Sequence, residues 1–398
     1  MTFTKDIILV STADWDNPFW TNKQHIAALF ARKGFRVLYI ESLGLRRPTV
    51  HKKDLKRIYH RFRKGMKGLS KARENIWVFS PFVIPFHNNP LCRWLNGKIL
   101  VNLIRLYARR LDFRNPVVWT YNPLLMESLE GIESSLTVYH CVDDLSAAPR
   151  MPSEVLREAE KRCLRAVDLV FTTSRKLEER CLSINPQNTY YFPNVVDFDH
   201  FRQAGNDIPI PDDLARIPRP RIGFIGAISD YKVDFELINY VAGKRTEWHW
   251  VLIGEIGEGQ PGTSIKKLKL PNVHLLGPKE YRVLPGYLRG FDVAALPLQL
   301  NDYTSCVFPM KFFEYLAAGK CVVTTDLPAL REYPEACRVA YSADGFIQAI
   351  EDCLTGKGPD KSFCLSLAQK YTWEWRTDKM LELMINKWKE KSAATSLE

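Results

Sequence analysis

The sequence predicts an α/β protein made of two Rossmann-like domains whose parallel sheets face each other across a cleft. Strand-like apolar runs alternate with helical patterns along nearly the whole chain, which is typical of parallel sheets covered by helices. A linker rich in Pro and Asp interrupts this alternation at residues 205–220. The length of 398 residues is sufficient for two hydrophobic cores.

In the first half of the chain, short runs rich in Val, Ile, Leu and aromatic residues indicate strands, and apolar residues at helical spacing indicate the helices between them. The predicted strands are 6–11, 35–41, 76–79, 117–121, 136–141, 169–172 and 189–192, and the predicted helices are 22–33, 91–111, 152–166 and 174–183. These elements form a predicted domain over residues 1–204.

The same alternation restarts after the linker. The predicted strands are 221–226, 248–254, 273–276, 292–297 and 321–325, and the predicted helices are 233–243, 284–289 and 309–318. This second domain is predicted to span residues 205–371, followed by a C-terminal helix in 372–398 that crosses back to the first domain. Since ligands of such sheets bind beyond the carboxyl ends of the strands, we expect the loops of both domains to face the cleft.

The composition is that of an ordinary globular protein, with 46% hydrophobic and 25% charged residues. No run approaches the roughly 18 apolar residues that a membrane-spanning helix needs, and the first residues do not resemble a secretory signal. The nine cysteines are scattered singly, which predicts reduced thiols in a cytoplasmic protein and no zinc site.

The positive charge is concentrated in one segment. Residues 46–73 contain twelve Lys or Arg and one acid, so this segment carries the whole formal charge of +11. Apolar residues recur in it at spacings of three and four, which predicts a basic amphipathic helix. We expect it to bind the anionic inner face of the cell membrane. A solvated basic face packed on its own domain is the alternative, and nucleic acid is disfavoured because no nucleic-acid-binding motif accompanies the charge.

The segment 301–334 holds the most informative motif. A loop of small and polar residues runs into Pro309, which suits the first turn of a helix. The N-terminus of such a helix binds phosphate, and Lys311 would add a full positive charge there. Glu314 lies on the same helical face and could accept hydrogen bonds from ribose hydroxyls. The alternative is an amphipathic helix with a solvated Lys–Glu surface pair.

The run PMKFFEYLAAGKCVVTTDLPAL resembles the nucleotide-binding segment of the GT-B glycosyltransferases, in particular the GT4 group. The runs RIGFIGAISDYKVDFELI, WHWVLIGE, PNVHLLGPKEYRVLPGYLRGFDVAALPL and YFPNVVDFDHF are similar to further segments of that group and occur in the same order. The ending YTWEWRTDKMLELM resembles the closing helix of these enzymes. The resemblance covers residues 115–390 well and residues 1–50 loosely.

This resemblance implies a metal-independent GT-B glycosyltransferase with no cofactor. Its second domain would bind a nucleotide diphosphate sugar, most simply a UDP-sugar. Glu314 resembles the second Glu of the group's E-x7-E element and would hold the ribose, whereas Cys306 stands at the position of the first Glu. The implied nucleotide-sugar site consists of Gly226, Lys232, Asp234, Pro278, Lys279, Ser305, Met310, Lys311 and Glu314. Retention and inversion both stay open, because Met310, Lys311 and Glu314 also resemble an element of the inverting xanthan glucuronosyltransferase.

In the first domain, His140 coincides with a position at which the GT4 group places a His near the donor sugar. The carboxylate of Asp143 or Asp144 could act as general base toward an acceptor hydroxyl, although either could instead cap a turn. Asp16, Trp20, Gln24 and His25 follow the first strand, where they could bind an acceptor sugar, with packing as the alternative for the tryptophan. Asp197 and Asp199 match the metal-binding DxD of a different glycosyltransferase fold, but they fall in the run YFPNVVDFDHF, which resembles the inter-domain segment of the GT4 group, and we predict no metal.

The sequence therefore predicts a cytoplasmic, peripherally membrane-bound glycosyltransferase. Its partners would be a nucleotide sugar, a lipid-linked or growing cell-envelope saccharide, and the anionic membrane surface, without nucleic acid. Two alternatives stay open, a nucleotide-sugar epimerase of the same fold and a non-catalytic subunit that binds nucleotide sugar.

Overall fold

The chain folds into two compact units, which a computed structural model describes for residues 2–17, 20–43, 63–81, 89–149, 151–257, 260, 262–268 and 270–395. The first unit comprises residues 1–192 and 376–398, and the second comprises residues 193–375. The predicted boundary at residue 204 therefore lies inside the second unit. The physical reason is that Val196, Phe201 and Ala204 are buried in the hydrophobic core of that unit.

The first unit contains an eight-stranded sheet in the order β3-β4-β2-β1-β5-β6-β7-β8. All neighbouring strands are parallel except β3, which is antiparallel to β4 at the edge of the sheet. The strands are β1 Asp6–Val10, β2 Arg36–Ile40, β3 Ser70–Arg73, β4 Ile76–Phe79, β5 Val117–Thr120, β6 Leu136–Cys141, β7 Leu169–Thr172 and β8 Thr189–Tyr191. The prediction of a parallel sheet is confirmed.

Helices connect parallel strands of this unit, since a parallel pair needs a crossover connection of a dozen or more residues. They are α1 Asn22–Arg32, α2 Pro90–Arg110, α3 Met126–Leu129, α4 Ser153–Ala166 and α5 Arg175–Leu182. Part of α2 packs its apolar face on a cluster that includes Ile8, Leu38, Phe79 and Val118 from the sheet. None of the helices in the described residues is long and apolar enough to cross a membrane.

The second unit contains a six-stranded, fully parallel sheet in the order β11-β10-β9-β12-β13-β14. Its strands are β9 Arg221–Ile225, β10 His249–Ile253, β11 Val273–Gly277, β12 Val293–Leu296, β13 Val322–Thr325 and β14 Arg338–Ala340. Its helices are α6 Phe198–Phe201, α7 Asp212–Ala215, α8 Phe235–Lys244, α9 Leu284–Gly290, α10 Lys311–Ala317, α11 Ala343–Leu354 and α12 Lys361–Lys370. The last helix, α13 Trp373–Thr395, has its residues from Arg376 onward in the first unit.

Two sequence-based expectations need correction. Cys321, immediately before β13, forms a disulfide with Cys353 of α11, so the thiols are not all reduced; the other cysteines are free. The predicted basic helix over 46–73 is wrong at its end, because β3 begins at Ser70 and Asn75 adopts a left-handed conformation with φ of 59° in the turn to β4. Residues 46–62 of that segment lie outside the described residues.

Candidate functional site

The strand order of the second unit reverses between β9 and β12, since the chain proceeds from β9 to β10 and β11 on one side and then returns to place β12 on the other. Ligands of open α/β sheets bind beyond the strand ends at such a point. The segment after β9 (residues 226–234, the β9 loop) and the segment after β12 (residues 297–310, the β12 loop) are joined there. The backbone N–H of Gln299 donates to the carbonyl of Lys232 at 2.8 Å.

Lys232 projects its ammonium group toward two tyrosine rings, one from each loop. Its Nζ lies 5.4 Å from the ring centroid of Tyr231 and 5.5 Å from that of Tyr303. The two rings meet edge to face with centroids 5.4 Å apart. The side-chain amide of Asn301 donates to the Tyr231 carbonyl at 2.8 Å, which fixes the β9 loop to the β12 loop. The cation is thereby positioned by attraction to two aromatic faces.

Helix α10 presents Lys311 and Glu314 as an ion pair across one helical turn. Lys311 Nζ donates to Glu314 Oε2 at 2.6 Å. The Glu314 side chain is almost completely buried. Burial raises the pKa of Glu314, and the nearby charges of Lys311 and His200 oppose that rise. Because an ammonium has three N–H donors and a carboxylate two oxygens, both partners keep capacity for a polar ligand.

The position of α10 is fixed by a bond to the end of β9. The backbone N–H of Ile225 donates to the Tyr315 hydroxyl at 2.8 Å in a buried environment. The helix has seven residues and begins at Lys311, with Met310 as its N-cap residue. Pro309 therefore precedes the helix instead of forming its first turn, a small correction to the expected range. Lys311 and Glu314 are consequently held next to the strand that leads into the Lys232 loop.

A short 3-10 turn over Thr304–Cys306 occupies the middle of the β12 loop. The Ser305 hydroxyl donates to the Asp302 carbonyl at 2.8 Å, so it stabilises the turn. Cys306 is buried, with 3% of its surface exposed. The position at which the GT4 group has its other Glu is therefore a packed thiol in this chain.

Gly226 and Gly254 let the loops after β9 and β10 approach each other closely. Gly254 has φ of +153°, and a Cβ on it would lie 1.8 Å from the Gly226 carbonyl oxygen. The N–H of Gly226 donates to Ile253, and the N–H of Gly254 donates to Gly277. A side chain at Gly254 would push these loops apart, so this glycine belongs to the site although the sequence analysis did not single it out.

Pro278 and Lys279 continue from that contact after β11. The Lys279 ammonium donates to Asp213 Oδ2 at 2.7 Å and lies 5.5 Å from the Tyr287 ring centroid. The bond to Asp213 raises the pKa of Lys279. Since the Lys279 ammonium is bound to Asp213, the backbone of Pro278 and Lys279 is the part that would contact a nucleotide base.

Two predicted carboxylates act as helix caps. Asp234 accepts hydrogen bonds from the backbone N–H of Glu236 and Leu237 at the start of α8. Asp197 accepts one from the backbone N–H of His200 at the start of α6. Asp197 therefore orders the chain in the way expected of N-cap residues. Within the described parts of the chain, no group of three His, Cys, Asp or Glu side chains is arranged to hold a metal ion.

In the first unit, His140 lies inside the core at the end of β6. Its ring is fully buried and packs against Trp119, while Nδ1 is 3.1 Å from the Tyr121 hydroxyl. Burial lowers the pKa of His140 well below its usual value, and the charges of Arg376 and Lys23 lower it further. The ring is therefore neutral, and it packs in the core beneath the C-terminal end of β6. Its contact with a sugar stays a prediction.

The two adjacent candidates for a general base, Asp143 and Asp144, have different surroundings in the structure. Asp144 accepts hydrogen bonds from the Ser146 hydroxyl at 2.6 Å and from the Arg180 guanidinium at 2.6 Å. Burial acts to raise the pKa of Asp144, but the bonds from Ser146 and the charge of Arg180 outweigh it and hold that pKa below its usual value. Asp143 makes a longer contact, 3.8 Å, with Lys23 of α1, and its side chain is about a third exposed (31%). Asp143 is therefore the more accessible base.

The residues after β1 form a compact polar and aromatic layer. Gln24 is fully buried and receives the Thr21 backbone N–H at 3.0 Å, so it completes the N-terminal cap of α1. Trp20 lies edge-on to His25 with ring centroids 5.4 Å apart. Asp16 is bound at 2.5 Å by Lys64, which comes from the basic segment. Gln24 is thus committed to the fold, whereas Asp16, Trp20 and His25 keep partly exposed surfaces.

In the second unit, most of the predicted residues lie beyond the carboxyl ends of the parallel strands. The sequence analysis missed Tyr231, Tyr303 and Gly254. A glycine directly after a strand is a usable signal for a close backbone approach. Nothing in the sequence marks the two tyrosines, because their role depends on two loops that are far apart in the chain.

Comparison with known proteins places this site in a recognised domain. The sequence profile of the family described as Glycosyl transferases group 1 matches residues 219–356, within the second unit. A curated relative is the putative teichuronic acid biosynthesis glycosyltransferase TuaH of Bacillus subtilis, strain 168, which is 28% identical over 254 residues. The match covers 59% of this chain and 63% of the relative, less than two thirds of its length.

Solved structures share the architecture along nearly the whole chain. A sucrose-phosphate synthase from Thermosynechococcus elongatus has a TM-score of 0.64 at 14% identity, covering 99% of this chain and 100% of that one. A glycosyltransferase from Rickettsia africae gives 0.67 at 14% identity, covering 96% and 98%. Anabaena HepE in complex with UDP gives 0.64 at 13% identity, covering 96% and 100%. The fold is GT-B, as the sequence predicts.

Proposed function

We propose that the chain is a glycosyltransferase that transfers a sugar from a UDP-sugar to a cell-envelope saccharide. The observation that carries the proposal is the placement of Lys232, Lys311 and Glu314 at the β9–β12 reversal, inside the segment that matches glycosyl transferases group 1. The name of the Bacillus relative supports an envelope polysaccharide as the product, and the UDP complex of the Anabaena protein supports a uridine nucleotide.

In the proposed mechanism the second unit binds the donor. The second oxygen of Glu314 accepts hydrogen bonds from the ribose hydroxyls, and the backbone at Pro278 and Lys279 contacts the base. Lys232 and Lys311 face the diphosphate, whose negative charge grows as the bond to the sugar breaks. Two positioned ammonium groups stabilise that leaving group, so we expect no metal requirement.

The first unit supplies the acceptor side of the proposed reaction. Asp143 is placed to accept the proton of the acceptor hydroxyl, because it is more exposed than Asp144 and is engaged less tightly. A carboxylate near the reaction centre also stabilises an oxocarbenium-like transition state. Trp20 and His25 offer partly exposed ring surface to an acceptor sugar. We propose a lipid-linked acceptor, with the chain held peripherally at the inner face of the membrane.

The first experiment is a calorimetric titration with UDP, GDP, dTDP, ADP and CMP. Wild-type protein should bind UDP selectively, and Glu314→Ala should lose that binding because the ribose hydroxyls lose their acceptor. Glu335→Ala is the matched control, since this carboxylate is exposed on the same unit. Binding of none of the nucleotides, or binding by Glu314→Ala equal to that of wild type, would overturn the assignment.

One observation favours a second candidate function, a non-catalytic subunit that only binds the nucleotide sugar. Cys306 is a buried thiol at the position where the GT4 group has a Glu. Slow hydrolysis of the UDP-sugar in the absence of acceptor distinguishes the two functions. A transferase should release UDP, and Asp143→Asn should slow its transfer to an acceptor by about 10²–10⁴. A scaffold should release none.

A further inference from the structure

Helix α2 of the first unit has one face turned to solvent with an unusual composition. Its buried residues are Asn96, Gly97, Leu100, Val101 and Ile104. Its exposed face carries four large apolar side chains, Leu91, Trp94, Ile99 and Leu106, which are 63%, 58%, 41% and 44% exposed. At 3.6 residues per turn these four positions fall within an arc of about 140° on one side of the helix.

The charged residues of α2 are all basic. They are Arg93, Lys98, Arg105, Arg109 and Arg110, and the sequence of the helix contains no Asp or Glu. Lys98, Arg105 and Arg109 are exposed within the same arc as the apolar side chains, and Arg110 is exposed just beside it. Lys98 Nζ lies 5.9 Å from the Trp94 ring centroid, so a cation and an aromatic ring stand side by side.

The described end of the basic segment lies against α2. Met66 is 62% exposed, and Lys67 beside it is exposed as well. The next residue, Gly68, lies against α2, since a Cβ on it would be 3.3 Å from the Tyr107 hydroxyl. Leu69 packs on the same apolar cluster as the inner face of α2. Met66 and Lys67 are therefore held close to α2 by the two residues that follow them.

We propose that the exposed face of α2 docks on the anionic lipid surface of a bilayer, with the helix lying in the plane of the interface. Exposed apolar side chains are stabilised by insertion at the acyl boundary, and tryptophan favours that depth. Cations on the same face are attracted by anionic headgroups at about 1 kcal/mol each. The inference deepens the proposed function, on which it rests, by assigning the element that brings the chain to a lipid-linked acceptor.

Charge argues against a second copy of the chain as the occupant. Two α2 helices in an isologous contact would bring four exposed basic residues from each side together without an acid from either helix. Such like-charge contacts cost free energy, whereas an anionic lipid surface supplies the missing negative charge. Docking to lipid leaves both the cations and the exposed Trp94 ring in favourable environments.

The test is co-sedimentation with vesicles of phosphatidylcholine alone and of phosphatidylcholine mixed with phosphatidylglycerol. Wild type should bind only the mixed vesicles. Lys98→Gln with Arg109→Gln should weaken binding about 25-fold, from two cations at ~1 kcal/mol each. Trp94→Ala should weaken binding at least about tenfold, because an interfacial aromatic side chain is lost. Tyr341→Ala, which removes an 80% exposed aromatic side chain from the second unit, should bind as wild type does.

Circular dichroism melting of each variant verifies folding, and UDP titration separates this inference from the proposed function. All α2 variants should keep the UDP affinity of wild type. Absence of wild-type binding to mixed vesicles, or unchanged binding by the α2 variants, would overturn the inference while UDP binding stands. It would also be overturned if Gln substitution of the Lys and Arg in 46–61 abolished binding and the α2 substitutions did not. A wild-type dimer dissociated by Trp94→Ala would assign the surface to self-association instead.

Discussion

Replacing Tyr303 by leucine should weaken the binding of UDP through its effect on Lys232. The Lys232 ammonium is 5.4 Å and 5.5 Å from the ring centroids of Tyr231 and Tyr303. These rings attract the cation and restrict its position between the β9 loop and the β12 loop. Leucine retains an apolar side chain at position 303 but has no aromatic face, so the lysine gains conformational freedom that UDP binding must then remove.

The expected size of the effect follows from this geometry. A cation–π contact at a partly exposed site contributes ~0.5–1 kcal/mol, so losing one ring should weaken UDP about two- to fivefold. Replacing both tyrosines should weaken it about 5- to 25-fold, if the contributions are additive. Lys232→Met removes the charge itself, and a charged hydrogen bond contributes ~1.5–3 kcal/mol. That variant should therefore lose about 10- to 150-fold in affinity.

Isothermal titration of UDP into wild type, Tyr303→Leu, the double leucine variant and Lys232→Met measures this order of affinities. Tyr341→Leu is the control, because that ring is exposed elsewhere on the same unit. The reasoning is refuted if the double variant binds UDP as wild type does while Lys232→Met loses it. In that case Lys232 contacts the diphosphate without help from the rings.

Asp143→Asn should lower the transfer rate by about 10²–10⁴ at unchanged UDP affinity, as for loss of a general base. Asp144→Asn should instead lower the free energy of unfolding by about 2 kcal/mol in urea titrations, because charged hydrogen bonds are lost. The opposite pattern would exchange the roles of the two residues. The Cys321–Cys353 disulfide spans 32 residues. Replacing both cysteines by serine should lower the free energy of unfolding by about 3–4 kcal/mol, by the chain-entropy relation. Dithiothreitol should destabilise wild type but not that variant. Burial lowers the pKa of Lys320 from 10.5 to about 8. Between pH 8 and 10.5 the unfolded state therefore binds more protons than the folded state, and the free energy of unfolding rises with pH by about 3 kcal/mol. Urea unfolding at a series of pH values should show this rise for wild type and not for Lys320→Met.

The elements that the sequence predicts best are those whose pattern depends only on burial. The first strand of the second unit was expected at 221–226 and spans Arg221–Ile225, since a short apolar run between polar residues fits a central parallel strand. The strand at Ile76–Phe79 has the expected limits. The neighbouring edge strand β3 gives no such signal, because all four of its side chains are exposed. The sequence pattern therefore places its basic residues in the preceding helix.

Side-chain partners across long sequence separations could not be predicted in the same way. The Cys321–Cys353 bond requires α11 to pack beside β13, which the spacing of the cysteines does not show. Asp143 and Asp144 are adjacent and chemically identical in the sequence. Arg180 on α5 distinguishes them in the structure, because its guanidinium binds Asp144.

The two units differ in how far their predicted residues can act directly on a ligand. In the second unit, Lys232, Lys311 and Glu314 are held by short-range contacts at one sheet edge, so small substitutions there should change binding more than folding. In the first unit, His140 and Gln24 are fully buried, and substitutions at either should change folding first. Measuring UDP affinity and stability together for both sets would therefore show whether recognition is confined to the second unit. If His140→Ala lost UDP affinity at unchanged stability, the first unit would contribute to donor binding as well.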